Sequence, residues 1–440
     1  MVFVLAKSQQ IFSNEIFSII SDLCVEAEFL AQVPNEIVRS AFSWAWPLTE
    51  PMCSVYSAVS GQALAVVDDY EGKTAKEVKR SLAAQVGVTR FRQRLWTDDW
   101  SHEIQDDEVF TSDLVKVQLV VLDFLQPDAE EDRRMITASR GNDLPALELL
   151  LKGPRTPRVT DVAGRTPLHH AARNGHVEST QLLLEAGSVE DARDTSPQGE
   201  TPLLLAALHG RVGSVALLLE ASAEADLAGV LEGATPLFMA AQEGHVEVAR
   251  LLIEAGVDYE KARTDNGGTP LLMAAQKGHV EVVRLLLEAG ADYDKARTDS
   301  GATPLIIAAQ NGHLDVVRLV LEAGADYDKT TNATGVTPLF IAAQTGHLDV
   351  VRLLLEAGVD YDKARTDVGA TPLFIAALTG HVEVARLLLE AGADCNKART
   401  DTGATPLQVA VEKGHVNVVR LLKEAGACQG QSSDGTCMLQ

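Results

Sequence analysis

Positive charge is in short supply in this sequence relative to negative. Its 440 residues carry 38 Lys and Arg against 62 Asp and Glu, a formal net charge of −24. That balance argues against nucleic acid, whose phosphates demand a cationic surface, and disfavours an anionic membrane surface. Cysteine is scarce as well. Cys24, Cys53, Cys395, Cys428 and Cys437 are too few and too scattered for a disulfide framework or a zinc site, so a reducing, cytoplasmic setting is expected. No run of eighteen or more apolar residues occurs, which leaves no candidate spanning helix. The apolar start Met1 to Ala6 leads to no cleavage-like site, and no signal peptide is expected. Also missing are a Ser-His-Asp or Gly-x-Ser-x-Gly signature, a phosphate-cradling glycine loop and a paired-carboxylate motif. Neither an enzyme nor a cofactor is expected.

What the sequence does have is a period. A Thr-Pro-Leu triplet begins at Thr166, Thr201, Thr235, Thr269, Thr303, Thr337, Thr371 and Thr405. One interval is 35 residues and the other six are 34. A fixed spacing in that range signals a stacked array of identical small units.

The unit that starts at Thr337 explains how each one folds. Thr337 supplies an N-cap hydroxyl, and Pro338 fits the first helical position, where its missing N–H costs nothing. Leu339 to Ala343 continue a helix of about two turns, with alanines that allow close approach. Thr345-Gly346 breaks it. A second helix starts near His347 and ends at Gly358, a C′ glycine in the left-handed region. Asp349, Arg352 and Glu356 share one face and can pair. The remaining aliphatic stripe is too wide for a lone helix in water, so each helix pair must bury it on the next.

The motif Thr-Pro-Leu-x-x-Ala-Ala-x-x-Gly-His-x-x-Val-Val-x-Leu-Leu-Leu-Glu-Ala-Gly closely resembles the ankyrin repeat. The resemblance implies a mainly α solenoid of helix-turn-helix-finger units, with β-hairpin fingers such as 360–367. It also implies a concave groove that binds other proteins. An atypical first unit at 130–160 mimics the repeat without the triplet, which makes nine units over residues 130–428. The histidine that usually follows Thr-Pro-Leu survives only as His169. Leu204, Phe238, Leu272, Ile306, Phe340, Phe374 and Gln408 replace it, so apolar packing is expected to stand in for its inter-repeat hydrogen bond.

In such an array the positions after Ala-Ala line the groove: Gln242, Gln276, Gln310 and Gln344, then Leu378 and Glu412. The fingers add Tyr259, Tyr293, Tyr327 and Tyr361, with Lys261/Arg263, Lys295/Arg297, Lys363/Arg365 and Lys397/Arg399. Aromatic and arginine ladders suit a partner surface. The competing reading is internal: each Tyr stacks on its neighbour, and each Lys or Arg pairs with an adjacent Asp. Seven histidines (His176, His245, His279, His313, His347, His381 and His415) follow Gly one per repeat. Spaced a full unit apart they cannot converge on one ion, and they read as helix-start residues.

The rest of the chain is different. Residues 1–50 read as a helical arm, either a packing cap or an F-box-like hook. Between 53 and 125 come a hairpin (Val55–Val59, Leu64–Val67), a helix capped by Thr74, a short strand at 91–96, an acidic loop and a strand from Val115 to Leu122. That order, with Arg92-Gln93-Arg94-Leu95-Trp96 and Val117-Gln118-Leu119-Val120, is similar to ubiquitin and ubiquitin-like domains. It implies a small α+β roll that cannot be conjugated, since Asp123 to Asp128 run on where a terminal Gly-Gly belongs. Trp96 and Val120 match the sheet face through which such folds bind partners, or are simply core or half-buried residues. Residues 429–440 read as a disordered tail. There Cys437-Met438-Leu439-Gln440 fits a farnesyl-type prenylation box, which would give reversible membrane contact.

Together these features predict a monomeric, non-catalytic adaptor that binds a protein partner along the array. A ubiquitin-pathway adaptor and a prenylated, membrane-tethered scaffold are the alternatives.

Overall fold

The computed structural model describes residues 52–57, 63–68, 70–86, 88–98, 101–111, 116–122, 128–153, 156–188, 196, 199–229 and 233–427. The expected arm at 1–50 and the tail at 429–440, with Cys437, lie outside them. The chain divides into two compact units, Met1–Val86 with Leu95–Val120, and Gly87–Arg94 with Val121–Gln440.

Among its described residues the first unit is a five-stranded sheet with one helix. Strands β1 (Met52–Ser57) and β2 (Ala63–Asp68) pair antiparallel, with an irregularity between Val55 and Tyr56. Helix α1 (Ala75–Val86) follows, and the strands β3 (Gln93–Thr97), β4 (Glu103–Ile104) and β5 (Lys116–Val121) complete the order β2-β1-β5-β3-β4. The central pair β1 and β5 is parallel, with Val55 opposite Val117. Thr74 and Glu77 cap α1 reciprocally: Glu77 accepts from the Thr74 amide at 2.7 Å, and the Thr74 hydroxyl accepts from the Glu77 amide at 3.4 Å. Val78 and Leu82 of α1 pack into a core with Val55, Val67, Leu95, Phe110 and Val117.

Two details differ from the sequence expectation. Phe91 and Arg92, expected to open the strand at 91–96, lie instead in a 3₁₀ turn, Arg90–Arg92. The stretch read as an acidic loop contains β4 and a bridge from Thr74 to Val109. A two-residue strand carries no alternation for a sequence to display.

The second unit is a stack of helix pairs, nine among the described residues. The first pair is α2 (Ala129–Gly141) and α3 (Leu144–Lys152). Next come α4 (Pro167–Asn174) with α5 (Val177–Glu185), and α6 (Pro202–Leu208) with α7 (Val212–Glu220). Helices α8 (Pro236–Glu243) and α9 (Val246–Glu254) follow, then α10 (Pro270–Lys277) and α11 (Val280–Glu288). After them stand α12 (Pro304–Asn311) with α13 (Leu314–Glu322), and α14 (Pro338–Thr345) with α15 (Leu348–Glu356). The last two pairs are α16 (Pro372–Thr379) with α17 (Val382–Ala391), and α18 (Pro406–Glu412) with α19 (Val416–Glu424). Gly87–Arg94, grouped by sequence with 53–125, belongs to this unit by its contacts: Arg90 Nε lies 2.6 Å from Glu185, and Phe91 joins the core containing Met135 and Leu151.

Each Thr-Pro start behaves as its chemistry dictates. The Thr337 hydroxyl accepts from the Phe340 amide at 3.1 Å, and the helix ends at Gly346 with φ 78°. Leu339, Ala342, Ala343, Val350, Val351 and Leu354 are at most 1% exposed, so one core runs through successive units. Cutting Leu354 back to alanine at such a site costs about 2–5 kcal/mol.

The helix-surface pairing is formed only in part. Arg250, Arg284 and Arg386 reach Glu247, Glu281 and Glu383 at 3.2–3.5 Å. The units carrying Asp315 and Asp349 show no such pair among the described residues, because aspartate is one methylene shorter. The fingers are also simpler than a hairpin of strands. The finger of 360–370 is a turn closed by Arg365 N–H to Ala370 O and Gly369 N–H to Arg365 O, with no strand assigned.

Candidate protein-binding face

The histidines that open the second helices are ties between units. His347 Nε2 donates to the Gln310 carbonyl of the preceding unit at 3.1 Å. His279 reaches Gln242 at 2.9 Å, His313 reaches Gln276 at 3.0 Å, and His381 reaches Gln344 at 3.2 Å. His245 and His415 use Leu208 and Leu378 in the same way, and His176 uses Arg140. Where His is replaced, Arg211 Nε donates to Arg173 O at 3.1 Å. The sequence located these residues at helix starts. Their partner, a carbonyl 36 or 37 residues back, has no signature in side-chain identity.

Those ties land on the row expected to meet a partner. Gln242, Gln276, Gln310 and Gln344 each close a first helix, and the tie fixes their main chain to the next unit. On α14, Ile341, Gln344 and Thr345 lie three and four apart on one side, while Leu339, Phe340, Ala342 and Ala343 are buried. Gln310 and Gln344 are exposed, and Gln242 and Gln276 half-buried.

The finger cations are engaged within the array. Lys261, Lys295, Lys329, Lys363 and Lys397 donate to main-chain carbonyls of the preceding finger at 2.6–3.1 Å. Arg263, Arg297, Arg365 and Arg399 grip Asp265, Asp299, Asp367 and Asp401 with both nitrogens of a fork, holding each carboxyl below its ordinary range. Arg263, Arg365 and Arg399 also lie over the Phe238, Phe340 and Phe374 rings at 5.4–5.5 Å. Arg297 has Leu272 in the corresponding place. Among the five fingers with a lysine tie one departs: Thr331 and Thr334 share a 3.0 Å hydroxyl contact where the other four carry the Arg–Asp pair. Tyr259, Tyr293, Tyr327 and Tyr361 are half-buried against the common core.

The unit that keeps the usual histidine is wired differently. His169 Nδ1 accepts from the Thr166 amide at 3.2 Å, and its Nε2 donates to Glu200 O at 3.0 Å. Burial pushes its pKa down to about 4. In the next six units the residue replacing it is apolar and at most 5% exposed, as expected, while Gln408 is exposed and caps its own helix. Beside it, His170 pairs with Asp161 at 2.8 Å. Burial lowers the His170 pKa against that carboxylate. Burial also opposes the Asp161 charge, but hydrogen bonds from Arg165, His170 and Ala163 hold its carboxyl low.

In the first unit Trp96 is half-buried on β3, opposite Glu103 of β4, and Val120 is half-buried on β5. Among the described residues no group of three or more His, Cys, Asp or Glu could hold a metal ion. No helix among them is long and apolar enough to cross a membrane.

Comparison with known proteins agrees with the periodicity. A family model described as "Ankyrin repeats (3 copies)" matches residues 135–228, 222–297, 293–365 and 361–433. The human protein named Ankyrin repeat domain-containing protein 39 is 39% identical over 62 residues, which is 14% of this chain and 34% of that protein. A protein of Oryza sativa subsp. japonica named Probable E3 ubiquitin-protein ligase XBOS32 is 45% identical over 56 residues, 12% of this chain and 11% of its own length. The chain therefore spans about a third or less of the curated relatives it matches.

Proposed function

The chain belongs to the ankyrin repeat family, a protein–protein interaction module, and on that premise we propose that it is a non-catalytic adaptor binding a partner protein along the first-helix face of its array. The observation that carries this reading is the contrast between two surfaces. The finger cations Arg263, Arg297, Arg365 and Arg399 are committed to Asp partners inside the array. Gln310 and Gln344, by contrast, face solvent from helix ends tied in place by His347 and His381. An ordered main chain presenting outward side chains is what a recognition face needs, because little entropy is lost on binding.

The test is affinity capture with the full chain and with Gln310→Arg/Gln344→Arg. Both positions are exposed helix ends, so the variant keeps the fold, checked by circular dichroism. A set of proteins held by the wild type and lost by the variant supports the reading. Identical retained sets defeat it.

A second reading concerns the first unit. A β2-β1-β5-β3-β4 order with a parallel central pair, and a helix after the first hairpin, is the arrangement a ubiquitin-like roll would have. That supports a ubiquitin-pathway adaptor, with Trp96 on the contacting face. Loss of ligase or proteasome components from the captured set on Trp96→Ala would bear on it, and their absence from the wild-type set would end it.

A further inference from the structure

The near-identity of the units restricts what the first-helix face can read. We propose that this face, between Ile307 and Leu378, binds an extended, uncharged peptide segment carrying an apolar side chain at every third residue. The inference rests on the adaptor reading above and names the partner's chemistry.

Three successive units supply matching elements, save that the third carries Leu378 where the others carry Gln310 and Gln344. Ile307, Ile341 and Ile375 form a floor, 6% exposed at Ile307, half-buried at Ile341 and 8% exposed at Ile375. One turn on stand Gln310, Gln344 and Leu378. The residues beside them turn back onto their own helices: Asn311, Thr345 and Thr379 donate to the carbonyls of Ile307, Ile341 and Ile375 at 2.8–2.9 Å. The Gln310 and Gln344 carboxamides have no side-chain hydrogen bond among the described residues. In the preceding unit Lys277 follows Gln276, and one unit further back Gln242 is already occupied by Glu243 at 2.8 Å. In a chain of net charge −24, these three first-helix faces carry no charged residue.

A carboxamide is both donor and acceptor, and an extended main chain offers unpaired N–H and C=O groups. The spacing also matches. First helices packed through fully buried alanines lie about 8–10 Å apart. Three residues of polyproline-type chain advance about 9 Å and complete one turn, so every third side chain returns to the same side, whereas a β-extended chain would turn alternate residues away. A peptide running across the helices meets an equivalent environment at each third residue, so an apolar side chain with that period settles repeatedly on the isoleucine floor. A charged residue would leave water for a strip with no countercharge, which is unfavourable.

The experiment uses the full chain and fluorescence anisotropy. The probe is a labelled peptide of about fifteen residues, Leu-Pro-Gln repeated, against a permutation of the same residues in which the leucines are no longer three apart. The periodic peptide is expected to bind about tenfold more tightly. Gln310→Ala/Gln344→Ala is expected to weaken it about fivefold with an unchanged urea midpoint, while Arg318→Ala/Arg352→Ala on the second helices leaves it unaltered. Equal binding of the permuted peptide, no binding of the periodic one, or insensitivity to the glutamine variant would each overturn the proposal. If the periodic peptide fails while Gln310→Arg/Gln344→Arg still empties the captured set, only this inference falls and the adaptor reading stands.

Discussion

His347 occupies the space that a side chain on Gly312 would need. Its Nε2 donates to Gln310 O at 3.1 Å, and its Nδ1 lies 2.5 Å from where a Gly312 Cβ would be. Gly312 has φ 74°, so the position serves two needs: a left-handed turn out of α12, and room for the ring that ties the next unit. Gly312→Ala therefore costs about 1–3 kcal/mol from the backbone alone, with the ring contact added. In urea unfolding the double variant Gly312→Ala/His347→Ala is expected to lose less than the sum of the singles, since removing the ring relieves the clash. Strict additivity would show that the two residues do not share this space.

His169 makes the array sensitive to mild acid. Its folded pKa is about 4 against an unperturbed value of 6.5, because burial disfavours the charged ring. Between those values the unfolded chain binds a proton that the folded chain refuses. Its contribution is thus complete above pH 6.5 and is lost as pH falls toward 4. His170, also lowered by burial, acts in the same direction, while the low Asp161 carboxyl loses its contribution only below its ordinary value of 3.8. The urea midpoint is expected to drop between pH 7 and pH 5, and His169→Phe, the residue of several later units, to flatten part of that slope. An unchanged slope would refute the assignment.

The finger arginines differ in what lies beneath them. Arg365 pairs with Asp367 and covers the Phe340 ring at 5.5 Å, whereas Arg297 makes the matching pair with Asp299 in a unit that carries Leu272 in place of the ring. Arg365→Ala should cost more than Arg297→Ala, by about 0.5–1 kcal/mol, the worth of a cation–π contact near the surface. Parallel denaturant titrations decide this, and equal losses would show that replacing Leu272 by a ring at the corresponding position contributes nothing.

Local chemistry was legible in the sequence wherever one residue decides the outcome. Thr337 and Pro338 start a helix, Gly346 ends it, and Gly358 adopts φ 86°, all from intrinsic backbone preference. The same holds for the alternation around Val55 and Val117 and for the Thr74 cap. Relationships between units were not legible. That His347 seeks Gln310 O, or that Lys363 seeks Asp328 O, depends on how neighbouring pairs stack, and a carbonyl acceptor belongs to every residue type. The Asp349–Arg352 pair was overestimated because spacing alone ignores side-chain length.

The alanine pair shows why these units stack so closely and gives the most direct test of the packing. Ala342 and Ala343 are 0% exposed, and Ala308, Ala309, Ala376 and Ala377 are equally closed. At the matching position of the last described pair stands Val411, 51% exposed, so the larger side chain is tolerated there. Inside the stack it is not: Ala343→Val must push its methyls against the neighbouring first helices, since a close-packed interior has no spare volume. A loss of about 1–3 kcal/mol is expected from such overpacking, with Val411→Ala near neutral. If urea unfolding gave equal midpoints for Ala343→Val and the wild type, the first helices would have room between them, and the spacing of about 8–10 Å on which the peptide register depends would be wrong.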